Sequence, residues 1–299
     1  MKSLDISFNS IKILEEAIFQ GLNQLEFLFA NNNHISKLPQ YVFYDVTNLH
    51  ELNLDSNNLF DDQFGIDNDI YLKDRPFNRL TNLTYLSLSN NSHVKNATTA
   101  NLRFIEPHAF AELVNLRTLL FAKNQLAFVA DNTLFQDMIN LETLNLSTNL
   151  LLSLPDNPFS SLTQLKSLDL SFNLIGLLNS AVLRGLVNLE FLSLSGNSLS
   201  GLSVNFFTDA TNLRHLFLAE NGLSLFNGAL FEPLRRLETL DLGANNFCCI
   251  SANLFAPLSN LKRLYLDRNR LNTIYLQGQL RNLSQLTHLK VLHFSFKCV

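Results

Sequence analysis

The sequence predicts an α/β solenoid, a stack of similar coils whose short strands form a parallel sheet. Two observations carry this prediction. Asparagine recurs at eleven positions, mostly 24 or 25 residues apart, within the pattern L-x-x-L-x-L-x-x-N-x-L. A phenylalanine recurs six residues before most of the first leucines of that pattern. Stacked units share one continuous core, so the 299 residues are expected to form one domain, 1-299, of about twelve repeats.

Composition is typical of globular proteins and limits the classes of partner that the chain is expected to bind. Apolar residues make up 46% and charged residues 16%, which excludes a disordered chain. The net charge is −4 and the basic residues are scattered, so nucleic acid is not indicated as a partner. No stretch of about 18 apolar residues occurs, so membrane attachment would need segments absent from this chain. The chain starts inside a repeat, which predicts a fragment with capping segments absent or truncated.

The first element of each repeat is a short strand. In x-L-x-L-x the leucines alternate with variable residues, so the two sets point to opposite sides. In one repeat, Leu168 and Leu170 are expected to face the core, with Asp169 facing the solvent. Successive coils lay these strands side by side, which predicts a parallel sheet along the concave face of a horseshoe.

An asparagine follows each strand, where the chain must turn sharply. The turn leaves buried backbone groups without partners in the sheet, and an asparagine amide can both donate and accept hydrogen bonds there. We therefore expect a ladder of buried asparagines bonded to the backbone of adjacent coils. Its members are Asn9, Asn33, Asn57, Asn91, Asn124, Asn149, Asn173, Asn197, Asn221, Asn245 and Asn269.

The rest of each repeat contains F-x-x-L and is expected to form a convex face that is mostly irregular or short-helical. Its phenylalanines predict a second buried stack: Phe19, Phe43, Phe77, Phe110, Phe135, Phe159, Phe207, Phe231 and Phe255, with Leu183 and Leu283 as exceptions. Two neighbouring repeats, between Asn57 and Asn124, each carry an insertion of about ten residues. Long loops on a rigid scaffold often take part in recognition, so these insertions are expected to form one protruding patch.

The repeat resembles a known family. The 24-residue unit with F-x-x-L resembles the typical class of leucine-rich repeats in extracellular receptors. The phrases LDISFN, from Leu4 to Asn9, and LDLSFN, from Leu168 to Asn173, together with the two elongated repeats, are most similar to Toll-like receptor ectodomains. The resemblance covers practically the whole chain. It implies an α/β leucine-rich-repeat solenoid.

The same resemblance implies a function. We expect the ligand-recognition ectodomain of a Toll-like innate immune receptor, at the cell surface or in the endosomal lumen, binding a protein or microbial ligand. Membership would also imply a receptor homo- or heterodimer. The alternative is a secreted or cell-surface leucine-rich-repeat adhesion or matrix protein that holds a protein partner. No phosphate loop, paired carboxylates or recurring nucleophile is present, so an enzyme is not predicted.

Five N-x-S/T triplets predict glycosylation of a secreted protein. They begin at Asn82, Asn90, Asn96, Asn145 and Asn282. Asn145 lies between two strand leucines, so its side chain should point outward from the concave sheet. A glycan there would obstruct this repeat and favour a binding site elsewhere.

Three cysteines, Cys248, Cys249 and Cys298, are too few for a disulfide framework. Either Cys248 and Cys249 simply occupy variable positions, or one of them pairs with a cysteine outside this chain or with Cys298. Cys298 lies about two coils away, which exceeds ordinary disulfide reach. No pair has zinc-site spacing, and the acidic first insertion lacks the spacing of a calcium loop, so neither a metal site nor a cofactor is predicted.

The outward positions of the strands are the candidate binding surface. Most are small and polar, and two clusters differ. The first comprises Phe27, Phe29 and Tyr85; the second comprises Phe191, His215, Phe217, Arg263 and Tyr265, with Arg268 beside it. Aromatic and arginine side chains on a rigid sheet are typical of binding hot spots.

Overall fold

A computed structural model describes residues 1–59, 70–71, 75–92, 104–129, 131–250, 253–271 and 286–294. The chain divides into two compact units. Unit 1 comprises Met1–Leu151 and Pro158–Leu165, and unit 2 comprises Leu152–Asn157 and Lys166–Val299.

Each unit contains six strands of a parallel sheet. In unit 1 these are β1 (Ser3–Asp5), β2 (Phe27–Phe29), β3 (Glu51–Asn53), β5 (Tyr85–Ser87), β7 (Thr118–Leu120) and β8 (Thr143–Asn145), in that order. In unit 2 they are β9 (Ser167–Asp169), β10 (Phe191–Ser193), β11 (His215–Phe217), β12 (Thr239–Asp241), β13 (Arg263–Leu266) and β14 (Val291–Phe294). Strands that recur once per coil in chain order confirm the predicted leucine-rich-repeat solenoid.

The strands form because the leucines alternate with outward residues. The central leucines pair in register from strand to strand, as Leu192 does with Leu216, and both are fully buried. On the other side of these strands, Phe191 and Phe217 remain half-buried. Each coil thus anchors its strand through one side and exposes the other, which we call the open face.

The chain turns sharply at the residue before each ladder asparagine. All eleven of these residues have left-handed backbone conformations, with φ between 50° and 65°. They are Phe8, Asn32, Ser56, Asn90, Lys123, Thr148, Phe172, Gly196, Glu220, Ala244 and Arg268. A side-chain-bearing residue in this conformation costs about 1–2 kcal/mol, so each coil needs a compensating interaction at the turn.

The ladder asparagines supply that interaction. Asn57 Nδ2 donates to the carbonyl oxygen of Leu54 in its own coil and to that of Ala30 in the preceding coil, both at 3.0 Å. Its Oδ1 accepts the N–H of Ile35, also in the preceding coil, at 3.0 Å. The same three contacts recur at Asn33, Asn91, Asn149, Asn197, Asn221, Asn245 and Asn269.

Asn9 and Asn124 differ from this arrangement in their hydrogen bonds, and Asn197 and Asn221 differ only in burial. Asn9 is exposed and donates only within its own coil, to Ile6 and Ser7, so the expectation that it is buried between coils is wrong. No described coil stacks against its other side. Asn197 and Asn221 keep the contacts but are half-buried. Asn124 accepts the N–H of Asn91 itself at 2.8 Å, just before the second insertion.

Phenylalanines stack along the opposite side of the coils, as predicted. In unit 1 Phe19, Phe43, Phe77 and Phe110 lie nearly parallel, with ring centroids 5.9 to 6.1 Å apart. In unit 2 the rings of Phe207 and Phe231 have a similar spacing, 6.1 Å, but are tilted by 36°. Among the described residues these segments are turns and irregular backbone, without a helix. The irregular form of the predicted convex segment is therefore the one that occurs.

A second asparagine ladder, which the sequence analysis did not identify, lies just before the strands. Asn48 Nδ2 donates to the carbonyl oxygen of Asn23 in the preceding coil at 2.8 Å. Equivalent bonds are made by Asn82, Asn115, Asn140, Asn212 and Asn260. The recurring Asn-Leu pair at these positions was the available signal. These bonds tie the chain to the preceding coil just before six of the strands.

The two insertions meet each other in unit 1. Short strands β4 (Ile70–Tyr71) and β6 (Phe104–Ile105) pair in parallel, apart from the main sheet. This pairing supports the expectation that the insertions form one patch. Most of their remaining residues, including the acidic segment of the first insertion, lie outside the described residues.

Substitution Asn57→Ala is expected to lower the free energy of unfolding by about 1–3 kcal/mol, because it leaves the buried Ile35 N–H without its acceptor and removes one of two asparagine donors from each of two carbonyl oxygens. Asn9→Ala is the matched control and should change it by less than about 0.5 kcal/mol, since Asn9 is exposed. Urea denaturation followed by circular dichroism measures both. Equal denaturation midpoints for the two variants would contradict the ladder's role.

Substitution Gly196→Ala is expected to destabilise unit 2 by about 1–2 kcal/mol. Gly196 has φ 65°, and an added Cβ would lie 2.5 Å from the Phe172 ring. Phe172→Ala should recover the steric part of this loss in the double variant. Ala244→Gly is the reverse control at the same turn position, with φ 50°, and should not destabilise. Thermal unfolding compares the four proteins, and a Gly196→Ala variant as stable as the parent would refute this account.

Candidate functional site

The open face of unit 2 carries a compact group of aromatic and polar side chains. Phe191 and Phe217 lie on neighbouring strands β10 and β11, and their ring centroids are 5.4 Å apart at an interplanar angle of 42°. Both rings are half-buried. Since the strand leucines hold the backbone below them, these rings form a fixed apolar surface beside His215.

A buried hydroxyl connects two of the predicted site residues. Thr239 lies on β12, between His215 on β11 and Arg263 on β13, and is only 4% exposed. Its Oγ1 accepts the Nε–H of Arg263 at 3.1 Å and lies 3.2 Å from Nδ1 of His215. A hydroxyl that accepts from Arg263 has its own hydrogen free for His215, which favours neutral histidine with the proton on Nε2.

The charge state of His215 follows from its surroundings. Burial lowers its pKa, and the nearby Arg263 and Arg214 lower it further, while Glu238 and Glu190 oppose them. The imidazole is therefore neutral at pH 7. We call His215, Thr239 and Arg263 the Thr239 triad.

A second aromatic contact extends this group. Tyr265 on β13 and His293 on β14 have ring centroids 5.0 Å apart. Of these residues the sequence predicts only Tyr265 as a site residue, and neither His293 nor Thr239, although all three occupy outward strand positions. Their outward strand positions could have indicated a role for His293 and Thr239. Residue type alone does not distinguish Thr239 from the other small polar residues of the face.

Charged residues border the open face where the strands begin. Glu238 forms ion pairs with Arg214 at 3.0 Å and Lys262 at 2.6 Å, and Arg214 also reaches Glu190 at 3.5 Å. The hydrogen bond from Lys262 is the largest cause of the lowered pKa of Glu238. These carboxylates are neutralised within the protein.

Arg268 lies at the other end of the strands, in the turn after β13. Its guanidinium pairs with Asp267 at 3.3 Å and Glu220 at 3.7 Å. Asp241 lies on the same face, and burial raises the pKa of its carboxyl. The predicted site residue Arg268 thus belongs to an acidic surface at the carboxyl ends of the strands.

The first predicted cluster is more dispersed. Phe27 and Phe29 lie on β2, and Tyr85 lies on β5, with strand β3 between them. Two strand spacings amount to about 10 Å, so this backbone does not bring Tyr85 directly beside the phenylalanines. Burial raises the pKa of the Tyr85 hydroxyl.

Three of the predicted glycosylation sites lie in the described residues. Asn82 is exposed and donates to the Thr47 carbonyl oxygen at 3.0 Å, and Asn90 is half-exposed and donates to Ser56 Oγ at 3.0 Å. Asn145 lies on the open face of unit 1, where its Oδ1 accepts the N–H of Ser147. Asn96 and Asn282 lie outside the described residues.

The adjacent cysteines are both free thiols. Cys248 is exposed, Cys249 is half-buried, and their sulfur atoms are 3.5 Å apart. A hydrogen bond with Cys248 raises the pKa of the Cys249 thiol. Cys298, the alternative partner considered above, lies outside the described residues.

No group of three or more histidine, cysteine, aspartate or glutamate side chains in the described residues is arranged to hold a metal ion. Within the same ranges, no helix has the length and apolar character needed to cross a membrane.

Comparison with solved structures identifies the same coil in other proteins. A chain of the Toll–Spatzle complex from Drosophila matches with a TM-score of 0.79 and 22% identity, covering 99% of this chain and 37% of that one. An internalin from Listeria monocytogenes matches with a TM-score of 0.56 and 19% identity, covering 100% and 82%. A leucine-rich-repeat protein of Leptospira interrogans matches with a TM-score of 0.51 and 22% identity, covering 95% and 76%. At these identities the matches show the fold.

Family models match most of the chain directly. Residues 139–199 and 192–247 match the leucine rich repeat, and residues 1–98 match the BspA type leucine rich repeat region. No curated protein matches the chain. Because the matched segments together exceed half of the chain and coincide with the stacked coils described above, the chain belongs to the leucine-rich-repeat family.

Proposed function

We propose that the chain is part of the ligand-recognition ectodomain of a Toll-like innate immune receptor and that it binds a protein ligand on the open face of unit 2. The observation that carries this proposal is the contact between Phe191 and Phe217 beside His215 and Arg263. Aromatic and arginine side chains held on a rigid surface are the residues that dominate protein interfaces.

The comparison with Drosophila supports the receptor part of the proposal. The matched chain comes from a complex described as a molecular hub in development and innate immunity. This chain spans 37% of its length, so signalling, dimerisation and membrane attachment would depend on segments beyond those compared. The proposal places the chain outside the cell or in the endosomal lumen and gives it no catalytic role.

The alternative is a secreted or cell-surface adhesion protein. The match to the Listeria internalin, whose chain is 82% covered, supports only that the same coils also occur outside Toll receptors. Both functions use the open face to hold a protein. They differ in whether binding transmits a signal.

Phe217→Ala is expected to weaken binding of the protein ligand about 30-fold, the effect of losing a hot-spot side chain of about 2 kcal/mol. The wild-type chain is used to capture candidate ligands from extracellular fluid, and each is then purified and measured by surface plasmon resonance. Phe29→Ala is the matched control, because Phe29 is an equally half-buried phenylalanine on a strand of unit 1. A ligand that loses as much affinity with Phe29→Ala as with Phe217→Ala would refute the assignment to unit 2.

The proposed extracellular location predicts glycosylation at Asn82, whose side chain is exposed. When the chain is secreted from eukaryotic cells, treatment with a glycosidase should lower its mass, and Asn82→Gln should remove one glycan. Asn48→Gln, at the equivalent position of another coil but outside an N-x-S/T triplet, should leave the glycan mass unchanged. A secreted chain without any glycan at Asn82 would contradict the prediction.

A further inference from the structure

We propose that the Thr239 triad is a subsite for the carboxylate of an acidic side chain on the protein ligand, and that the Phe191–Phe217 pair receives an apolar side chain next to it. This inference rests on the proposed function, since it assumes that the open face of unit 2 binds protein. It adds to that function the two ligand groups that the site would recognise, a carboxylate and an apolar side chain.

The guanidinium of Arg263 is oriented but not neutralised. Its Nε–H donates to Thr239 Oγ1. The edge formed by the two terminal nitrogens is then available to a ligand. Among the described residues, no carboxylate pairs with these nitrogens, and the side chain is exposed. A carboxylate that approaches this edge can accept two parallel hydrogen bonds, the strong bidentate geometry of arginine pairs.

The imidazole of His215 provides a second donor on the other side of Thr239. Its Nδ1 faces the Thr239 hydroxyl, and the described part of the chain places no acceptor at Nε2. The three residues lie on consecutive strands β11, β12 and β13, so the backbones of His215 and Arg263 are about 10 Å apart across the sheet. Both side chains reach the Thr239 hydroxyl between them. A carboxylate bound beside Thr239 would accept hydrogen bonds from Arg263 on β13 and from His215 on β11.

The surrounding charges favour a single carboxylate over an extended polyanion. Glu238, which precedes Thr239 in the chain, is already paired with Arg214 and Lys262. Toward the other end of the strands, Asp241 lies on the same open face. A nucleic acid or sulfated polysaccharide lying across the face would meet this carboxylate, whereas one acidic side chain at Thr239 would not.

The apolar part of the subsite is adjacent. Phe191 pairs in register with His215 across one strand spacing, and Phe217 lies two residues along β11 from His215 on the same face. A ligand residue next to the acidic one can therefore cover the Phe191–Phe217 surface. The two contacts together select an acidic residue beside an apolar one.

The test uses a displayed library of random 12-residue peptides selected on the folded chain. We expect the recovered peptides to share an aspartate or glutamate next to an apolar residue. One synthetic peptide and its Glu→Gln or Asp→Asn version are then titrated against the wild type, Arg263→Gln and Phe217→Ala. Loss of the acidic group should weaken binding to the wild type about 10-fold, and should have no further effect on Arg263→Gln, as in a coupled pair.

Two controls show whether a loss of binding comes from the subsite, from a loss of folding or from the loss of any positive charge. Arg235→Gln removes an exposed arginine of unit 2 and should leave peptide binding unchanged. Circular dichroism melting of Arg263→Gln should match that of the wild type, because the side chain is exposed. Equal loss of binding in Arg235→Gln and Arg263→Gln would overturn the proposal.

Binding should also depend on pH. Burial holds the pKa of His215 below its ordinary value against the opposing effects of Glu238 and Glu190, with Arg263 and Arg214 lowering it further. A bound carboxylate raises that pKa, so affinity should increase several-fold from pH 8 to pH 5.5, where the ligand carboxylate is still ionised. His215→Gln should abolish the pH dependence, and a variant that retains it would contradict the role of His215.

The outcomes distinguish this inference from the proposed function. Peptides that require Phe217 but show no acidic preference would refute the subsite and leave the protein-binding face intact. Peptides insensitive to both Phe217→Ala and Arg263→Gln would refute both. Tighter binding of a 20-residue oligothymidylate than of the acidic peptides would assign the triad to phosphate and overturn the proposal.

Discussion

Hydrogen bonds from buried asparagine amides to the backbone of the preceding coil are the interaction on which this structure depends. The turn after each strand forces one residue into a left-handed conformation and leaves buried N–H and carbonyl groups without partners in the sheet. One amide satisfies an N–H and two carbonyl oxygens at once, as Asn57 does. Because two of these three groups belong to the preceding coil, turn geometry and coil stacking stabilise each other.

Because interior residues stabilise the coils, the open face can carry functional residues. Leucines, ladder asparagines and phenylalanines hold each unit together from its interior, so the outward strand positions are released from packing. In unit 2 those positions hold two aromatic contacts, at Phe191–Phe217 and Tyr265–His293, and one buried hydroxyl that orients a histidine and an arginine. A rigid backbone lowers the entropic cost of holding such side chains ready for a partner.

The predictions that failed or were incomplete share one physical origin. Asn9 carries the motif of the ladder but lies exposed, because a ladder bond needs a stacked coil as well as the asparagine. Tyr85 was grouped with Phe27 by its position in the motif, yet β3 lies between their strands. Thr239 resembles every other small polar residue of the face until its hydroxyl is seen between His215 and Arg263. In each case the neighbour across the coils decides the role.

The repeat, the strands, the buried leucines and most of the asparagine ladder can be predicted from the chain's pattern alone, because they need only local alternation and one turn. The same pattern indicates which outward residues are unusual. Which of these residues touch, which arginine is neutralised and which is left for a partner is known only from the folded coils. Those properties depend on distances between side chains two dozen residues apart, and no pattern within one repeat specifies them.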